Sequence, residues 1–358
     1  MPRLNKKPAP VIVRHRHVLG LVFMLGAMAF GIHVATFLAA PPGSSHTVRT
    51  FDIADDEPMG QVAMRLERAG LIRNRVYFML FGRLTGSERA LKPGEYALSA
   101  AMRPLDILGR FRRGTVILHP VTIPEGSTAR QIASRLSAAG LAEADEFLRL
   151  VNSLEFIGSL GLDLSSLEGY LFPDTYHFAR RTPVEAIARR MVDRFRSEFP
   201  PQWDARGAKL GLSRHQVVTL ASIIEKETAA SFERPLISAV FHTRLRKRMP
   251  LQSDPTVIYP ILKFDGNLRK VDLIRDSPYN TYRRRGLPPG PIANPGRAAL
   301  EAALYPAPVD YLFFVSKNDG THQFSRSLRE HNAAVDRYQR RGLRRAAPKR
   351  AVVSRVAG

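Results

Sequence analysis

Residues 220–228 read Leu-Ala-Ser-Ile-Ile-Glu-Lys-Glu-Thr, and they place two acids, Glu225 and Glu227, at the end of a short apolar segment. Ser213 stands before this segment and suits a helix N-cap. At about 100° per residue the apolar side chains fall on one stripe: Val217, Leu220, Ala221 and Ile224. The pattern predicts a helix that packs along one face, with the two carboxylates on opposite shoulders of that face.

The neighbours of the two acids differ in size. Residues three and four positions from Glu225 are small, which leaves room for a bulky substrate over its carboxylate: Ala221, Ser222, Thr228 and Ala229. Glu227 instead follows Ile223 and Ile224. A half-desolvated carboxyl has a raised pKa, as a general acid needs. The sequence therefore favours Glu225 as an acid facing a cleft, while two solvated surface charges remain the alternative.

The composition excludes some chemistry and favours other partners. The chain has 358 residues, enough for more than one domain. It has no cysteine, which excludes disulfides, thiolate metal sites and cysteine nucleophiles. The 54 Lys and Arg residues outnumber 32 Asp and Glu residues, for a net charge of +22. Such a positive field favours nucleic acid, anionic lipid or another acidic polymer.

Residues 18–40 contain no Asp, Glu, Lys or Arg, and 23 residues suffice to cross a bilayer core of about 30 Å. Five basic residues precede this segment: Arg3, Lys6, Lys7, Arg14 and Arg16. The positive-inside rule predicts a cytoplasmic basic tail (1–17), a single-pass anchor (18–40) in the inner (plasma) membrane, and an extracytoplasmic remainder. A cleaved signal peptide is the alternative. Because this topology keeps the bulk of the chain from the chromosome, we expect no nucleic-acid partner.

An internal repeat follows the anchor. Phe51–Ile72 aligns without gaps on Val121–Ala142, and each copy reads as a strand, a turn and a helix that ends at a glycine. Two further helices and a strand are predicted before residue 118. The order strand–helix–helix–strand over 41–118 resembles small LysM-like wall-binding modules, and a packing unit without a ligand is the alternative.

Polar and aromatic segments continue the chain. Residues 166–178 combine four aromatics with Glu168 and Asp174, which suits sugar rings as well as a buried turn. The segments 251–259 and 279–282 are followed by a loop rich in Pro and Gly (286–296), which predicts one rigid path. A hairpin is predicted for 311–325 and a helix for 327–338. The predicted fold class is α+β, with a mixed α+β catalytic domain (119–340) and a disordered basic tail (341–358).

These segments, in this order, resemble the MltG (YceG-like) family of endolytic murein transglycosylases. The resemblance implies that the Glu-Lys-Glu-Thr string carries the catalytic acid at its first glutamate, Glu225. It also implies cleavage of the β-1,4 bond between N-acetylmuramic acid and N-acetylglucosamine within nascent strands, with 1,6-anhydro ends as products and strand elongation terminated. A hydrolytic muramidase would ordinarily use two carboxyls. Glu168, Asp174 or Asp254 could supply the second carboxyl, so a muramidase remains an alternative. A membrane-anchored protein that binds peptidoglycan without cleaving it is another alternative.

The predicted partners are peptidoglycan glycan strands and the membrane, with peptidoglycan synthases as candidates. No metal cluster or phosphate loop is visible in the sequence, so we expect no cofactor. The predicted substrate-binding residues are Glu168, Tyr170, Asp174, Gln252, Asp254, Asn280 and His322.

Overall fold

A computed structural model describes the backbone of residues 12–340 and the side chains of residues 18–339. The predicted tails lie outside this part of the chain, apart from the backbone of 12–17. In chain order the elements are α1 (Ile12–Ala39), β1 (Arg49–Ile53), α2 (Met59–Arg68), α3 (Arg75–Leu84), β2 (Gly94–Leu98), α4 (Pro104–Arg113), β3 (His119–Thr122), α5 (Ala129–Ala138), α6 (Ala144–Val151), α7 (Leu154–Ser159), β4 (Thr175–Phe178), α8 (Val184–Glu198), α9 (Gln202–Lys209), α10 (Arg214–Glu227), α11 (Arg234–Arg246), α12 (Asp254–Ile258), α13 (Lys270–Leu273), α14 (Arg297–Leu304), β5 (Phe313–Ser316), β6 (His322–Ser325) and α15 (Leu328–Val335).

The described residues form an α+β structure, as predicted. Their strands pair two by two, β1 with β2, β3 with β4 and β5 with β6. The chain divides into two compact units. Among the described residues, the first comprises residues 12–119 and Ala179–Arg181, and the second comprises Pro120–Phe178 and residues 182–340.

The N-terminal helix α1 is long and apolar enough to cross a membrane. Its segment Val18–Ala39 has a mean hydropathy of 2.2. The large side chains along it are exposed, with Phe23 at 80% and Phe30 at 52% exposure. Phe37 and Leu38, at its C-terminal end, are buried. A bilayer would cover the exposed span, which is the property expected of an anchor.

The first unit continues with the predicted order strand–helix–helix–strand, and α4 follows. Strands β1 and β2 are antiparallel, with Arg49 opposite Leu98 and Ile53 opposite Gly94. The fully buried side chains between the sheet and its helices include Val62, Leu66, Phe78, Tyr96 and Phe111. The order is confirmed, while the resemblance to wall-binding modules stays a prediction.

The internal repeat recurs as structure. Strand β1 and helix α2 in the first unit correspond to β3 and α5, and Leu66 and its equivalent Leu136 are both fully buried. The glycines that end the two helices, Gly70 and Gly140, have φ of 69° and 64°. This left-handed conformation favours glycine.

The second unit has two cores. One gathers around α5, α6 and α8, and the other surrounds α10. Helix α10 begins at Ser213, which accepts a hydrogen bond from the backbone N–H of Gln216, and the side chain of Gln216 accepts one from Ser213. All residues from Val217 to Ile224 are buried. The prediction of one apolar stripe is wrong, because α9, α11, α12 and α14 pack around this helix. Because several helices cover α10, the surroundings of Glu225 and Glu227 do not follow from their positions on the helix and depend on tertiary contacts.

The predicted hairpin and the helix after it are confirmed. Strands β5 and β6 are antiparallel, with Phe313 opposite Ser325, and Ser327 caps α15. Near the end of the Pro- and Gly-rich loop, the side chain of Asn294 donates to the carbonyl of Ser127 at 2.9 Å and accepts from the N–H of Leu171 at 2.8 Å. The rigidity of this loop stays a prediction.

Candidate active site

A cavity of about 570 Å³ opens in the second unit where α10 ends. Glu227, the last residue of α10, lines it together with residues from the loop before α12, from the hairpin and from α15. Gln252, Asp254 and His322, which the sequence predicted to bind substrate, line the same cavity. Glu225 is not among its lining residues.

Glu227 is partly buried and accepts one hydrogen bond from a neighbouring side chain. The hydroxyl of Ser253 donates to its Oε1 at 2.5 Å. Burial raises the pKa of Glu227 to about 7; the hydrogen bond from Ser253 opposes this rise, the negative charge of Asp254 adds to it, and the guanidinium of Arg244 opposes it. A carboxyl with this pKa carries a proton on a substantial fraction of molecules near neutral pH, which a general acid requires.

Arg244 fixes the loop that brings two predicted residues into the cavity. Its buried guanidinium donates to the carbonyls of Leu251 and Leu312 at 2.8 Å, and to Oε1 of Gln252 at 3.3 Å. Gln252 has a φ of 53°, which a non-glycine residue adopts only where its surroundings hold it. A strained residue held this way is common at functional sites.

Asp254 and His322 are each oriented by one partner. The hydroxyl of Tyr282 donates to Oδ1 of Asp254 at 2.5 Å. Glu233 accepts the backbone N–H and Nδ1 of His322, both at 2.7 Å. With Nδ1 as the donor, Nε2 of a neutral His322 is left as an acceptor. The site therefore holds two carboxylates and an oriented imidazole in one cavity.

Glu225 lies in a buried ion pair instead. Nη2 of Arg234 donates to its Oε1 at 2.9 Å, and the backbone N–H of Gly296 donates to its Oε2 at 3.0 Å. The side chain of Glu225 is only 5% exposed. Glu125 lies 3.6 Å from the same guanidinium, and burial, followed by the charge of Glu225, raises the pKa of Glu125. Both oxygens of Glu225 thus contact the protein, as in a residue that holds elements together.

Glu168 lies at a buried junction rather than in the cavity. It accepts hydrogen bonds from the N–H of Ala129 at 3.0 Å, from Nδ2 of Asn294 at 2.8 Å and from the hydroxyl of Tyr259 at 3.2 Å. Burial raises its pKa to about 7 against the lowering effect of these hydrogen bonds. The carboxyl thus joins three distant segments of the chain.

Three other predicted residues also have partners within the fold. The hydroxyl of Tyr170 contacts Nδ1 of His215 at 3.1 Å in a buried cluster. Asp174 pairs with Arg194 at 2.6 Å. Nδ2 of Asn280 donates to two backbone carbonyls at 3.0 and 2.8 Å. The structure does not bring these three or Glu168 to the cavity, so their contact with substrate stays a prediction.

Several cavity residues were not predicted as site residues: Glu227, Arg244, Tyr282, His331 and Asn332. Tyr282, His331 and Asn332 belong to segments on which the family resemblance rests, so the resemblance could have predicted them as site residues. Arg244 could not be distinguished in the sequence from the other arginines of its helix, Arg234 and Arg246. The described residues contain no group of three or more His, Cys, Asp or Glu suited to a metal ion.

The sequence profile described as the YceG-like family matches residues 51–337. The chain belongs to the YceG-like family. An endolytic murein transglycosylase of Bacillus subtilis (strain 168) is 32% identical over 329 residues, which cover 87% of this chain and 90% of that protein. An endolytic murein transglycosylase of Streptococcus pneumoniae serotype 2 is 30% identical over 318 residues, 80% of this chain and 57% of that protein.

A solved structure supports the same membership. The crystal structure of a YceG-like protein of Listeria monocytogenes covers 81% of this chain and 99% of its own, with 34% identity and a TM-score of 0.56. This YceG-like chain therefore shares sequence with these relatives along most of its length, and it shares its fold with the Listeria monocytogenes protein.

Proposed function

We propose that this chain is a peptidoglycan lytic transglycosylase. It would cleave the β-1,4 bond between N-acetylmuramic acid and N-acetylglucosamine within nascent glycan strands and so end their elongation. The observation that carries the proposal is Glu227, whose carboxyl opens on a cavity with a pKa raised to about 7. The names of the relatives from B. subtilis and S. pneumoniae support the substrate class.

In the proposed reaction one carboxyl serves twice. Protonated Glu227 donates its proton to the glycosidic oxygen as the bond to C1 of the muramic acid breaks. The resulting carboxylate then takes the proton of the C6 hydroxyl of the same sugar, whose oxygen attacks C1. The products are a 1,6-anhydro end and a new hydroxyl end, no water is consumed, and Glu227 regains its proton.

We assign the acid to Glu227 in preference to Glu225 because of their surroundings. Both oxygens of Glu225 contact the protein, and Glu225 does not line the cavity. Glu227 instead shares the cavity with Gln252, Asp254 and His322, which we propose as substrate contacts. The assignment of Glu225 implied by the sequence resemblance remains the alternative.

A muramidase is the second candidate, favoured by one observation. Asp254 places a second carboxylate in the cavity of Glu227 and could activate a water molecule or act as a nucleophile. A peptidoglycan-binding protein without activity is the third candidate. Its site would be the predicted LysM-like module.

Mass spectrometry of the products separates the three candidates. The full-length protein in detergent is incubated with uncrosslinked glycan strands, and the new chain ends are identified. Transglycosylation gives anhydro ends, which lack one water relative to the reducing ends that a muramidase gives. A binder leaves the strand lengths unchanged. Reducing ends or unchanged strands would contradict the proposal.

We also propose that α1 anchors the protein in the inner membrane by a single pass, with a cytoplasmic N-terminus and an extracytoplasmic catalytic domain. The length and mean hydropathy of Val18–Ala39 and its exposed side chains support an anchor. The basic residues before it support the orientation. Protease accessibility in membrane vesicles of known sidedness tests the orientation.

A further inference from the structure

Helix α3 of the first unit exposes an apolar stripe. Its exposed side chains are Val76 at 60%, Leu80 at 42% and Leu84 at 76%. At about 100° per residue these three lie within about 80° of one another on the helix surface, and Tyr77 adjoins them. The opposite face, with Phe78 and Gly82, is buried in the unit. Because the three side chains adjoin one another, they form a contiguous apolar patch, which is typical of a site that contacts a partner or a membrane.

The stripe lies beside the helix proposed to cross the membrane. Nη2 of Arg73, just before α3, donates to the carbonyl of Pro41 at 2.9 Å, two residues after the end of α1. The ring of Tyr77 contacts three rings of α1, with centroids 5.3 Å from Phe37, 5.7 Å from His33 and 6.1 Å from Phe30. Helix α3 is therefore held against the last turns of the span rather than beyond its end.

These contacts set the depth of α3 relative to the span. His33, the middle of the three, lies six residues before Ala39, which at 1.5 Å per residue is about 9 Å along the helix. Helices that lie in a membrane surface bury their apolar face about 5–10 Å into the boundary between headgroups and acyl chains. The position of Tyr77 falls within this range.

Arginines surround the stripe. Residues 73–84 contain Arg73, Arg75 and Arg83 and no Asp or Glu. Arg75 lies 3.9 Å from Glu67 and Arg83 lies 3.2 Å from Glu88, in pairs whose side chains are at least 37% exposed. Exposed pairs of this kind are weak, so these arginines can also interact with anionic headgroups. A protein partner could cover an apolar stripe as well, but it would not account for the depth at which α3 meets α1.

We propose that α3 lies in the headgroup–acyl boundary of the bilayer that α1 crosses, with Val76, Leu80 and Leu84 in contact with lipid. The inference rests on the proposal that α1 is a membrane anchor. Helix α3 would then be a second membrane contact of the first unit, in addition to α1, and would hold this unit at the membrane surface.

The absence of cysteine from the sequence makes a direct test possible, because a single introduced cysteine can be labelled selectively. Three full-length variants, Leu80→Cys, Leu118→Cys and Phe23→Cys, are labelled with a small fluorophore and placed in nanodiscs that contain anionic phospholipid. Part of the lipid carries a nitroxide quencher near the headgroup end of the acyl chain. Phe23 reports on the span, and its side chain is 80% exposed.

Leu118 is the matched control for Leu80. It is an exposed leucine of the same unit, at 51% exposure. The N–H of its neighbour Ile117 bonds to the carbonyl of Glu95 at 2.6 Å, at the Gly94 end of the β1–β2 sheet. The linker after α1 instead meets the chain beyond the Leu98 end, where the N–H of Gly43 donates to the carbonyl of Ala100 at 3.0 Å.

We expect the quencher to reduce the fluorescence of the labels at 23 and 80 by about twofold, and to leave the label at 118 unchanged, because quenching requires contact with the boundary region. Quenching at 23 without quenching at 80 would overturn the inference alone, including the case in which a protein covers the stripe. No quenching at 23 would overturn the anchor proposal and this inference with it. Quenching at all three positions would also overturn the inference, since α3 would then be no different from the control.

A second variant tests whether the apolar stripe itself causes the contact. The label is placed at Leu84→Cys, with and without Leu80→Glu, which adds a charge to the stripe at an exposed position outside the core. With Leu80→Glu, quenching of the label at 84 should fall to about that of the label at 118, because a carboxylate resists transfer into the boundary. Equal quenching at 84 with and without Leu80→Glu would overturn the role given to the stripe.

Discussion

Replacing Glu225 by Gln should destabilise the second unit while leaving the chemistry in place. The substitution removes the charge that faces Arg234, whose side chain is 11% exposed. Removing one partner of a buried ion pair costs about 3–5 kcal/mol. Glutamine keeps one oxygen, enough for only one of the two present hydrogen bonds, and Glu125 remains 3.6 Å from the guanidinium. We therefore expect a smaller loss, about 2–3 kcal/mol of unfolding free energy.

Thermal unfolding followed by circular dichroism measures this loss. With about 2–4 °C per kcal/mol for a domain of this size, the Tm of Glu225→Gln should fall by about 5–10 °C. Asp193→Asn is the control, because it breaks an ion pair with Arg196 whose side chains are 51% and 41% exposed. It should change the free energy of unfolding by less than about 1 kcal/mol. A Tm of Glu225→Gln equal to that of the wild type would refute the structural role assigned to Glu225.

Three further predictions concern the buried carboxyls. The turnover rate should fall as pH rises above about 7, because Glu227 must be protonated when the reaction begins. Asp254→Asn should move this fall to lower pH, since the negative charge of Asp254 raises the pKa of Glu227. A pH–rate profile that is unchanged in this variant would contradict the effect of Asp254 on Glu227. The free energy of unfolding should decrease between about pH 5 and pH 8. Glu168 has a pKa of about 7 in the folded protein and an ordinary pKa of 4.5, so over this range the folded state binds more protons than the unfolded state. Urea unfolding should show a smaller decrease in Glu168→Gln than in the wild type. Asn294→Ala should lower the stability by about 2–4 kcal/mol, because it removes one of the three hydrogen-bond donors of Glu168 and leaves the buried N–H of Leu171 without its acceptor. A loss below about 1 kcal/mol in the same urea assay would argue against this junction.

Much of the fold followed from local patterns. The spacing of apolar residues, the cap at Ser213 and the glycines at 70 and 140 all act within a few residues of the chain, so α10, the hairpin and the repeat could be predicted. The single stripe on α10 could not. Which faces of a helix are covered depends on elements far along the chain, such as α14, and periodicity within the helix does not report them.

The candidate site shows the same limit. Sequence placed Glu225 and Glu227 two residues apart and predicted which was freer from the size of its neighbours. In the structure Glu225 contacts Arg234 and Gly296, and Glu227 contacts Ser253. Gly296 and Ser253 lie far along the chain from the two acids, so these contacts could not be predicted from the sequence, and the choice of the acid stays a proposal. Of the seven residues predicted to bind substrate, Gln252, Asp254 and His322 line one cavity, and their contact with substrate stays a prediction. Glu168 looked equally suited to a substrate, and only its three internal hydrogen bonds reveal a different place for it.

The assignment of the general acid to Glu227 is tested by the matched variants Glu227→Gln and Glu225→Gln. The quantity measured is the rate at which each purified, folded variant forms anhydro ends on uncrosslinked glycan. Loss of a general acid lowers a rate by about 10²–10⁴-fold, so Glu227→Gln should lose activity by that factor while its Tm is maintained, because glutamine can still accept from Ser253. Glu225→Gln should keep a rate per folded molecule within a few-fold of the wild type, in spite of its lower Tm. The reverse result, an active Glu227→Gln and a folded but inactive Glu225→Gln, would show that Glu225 is the general acid.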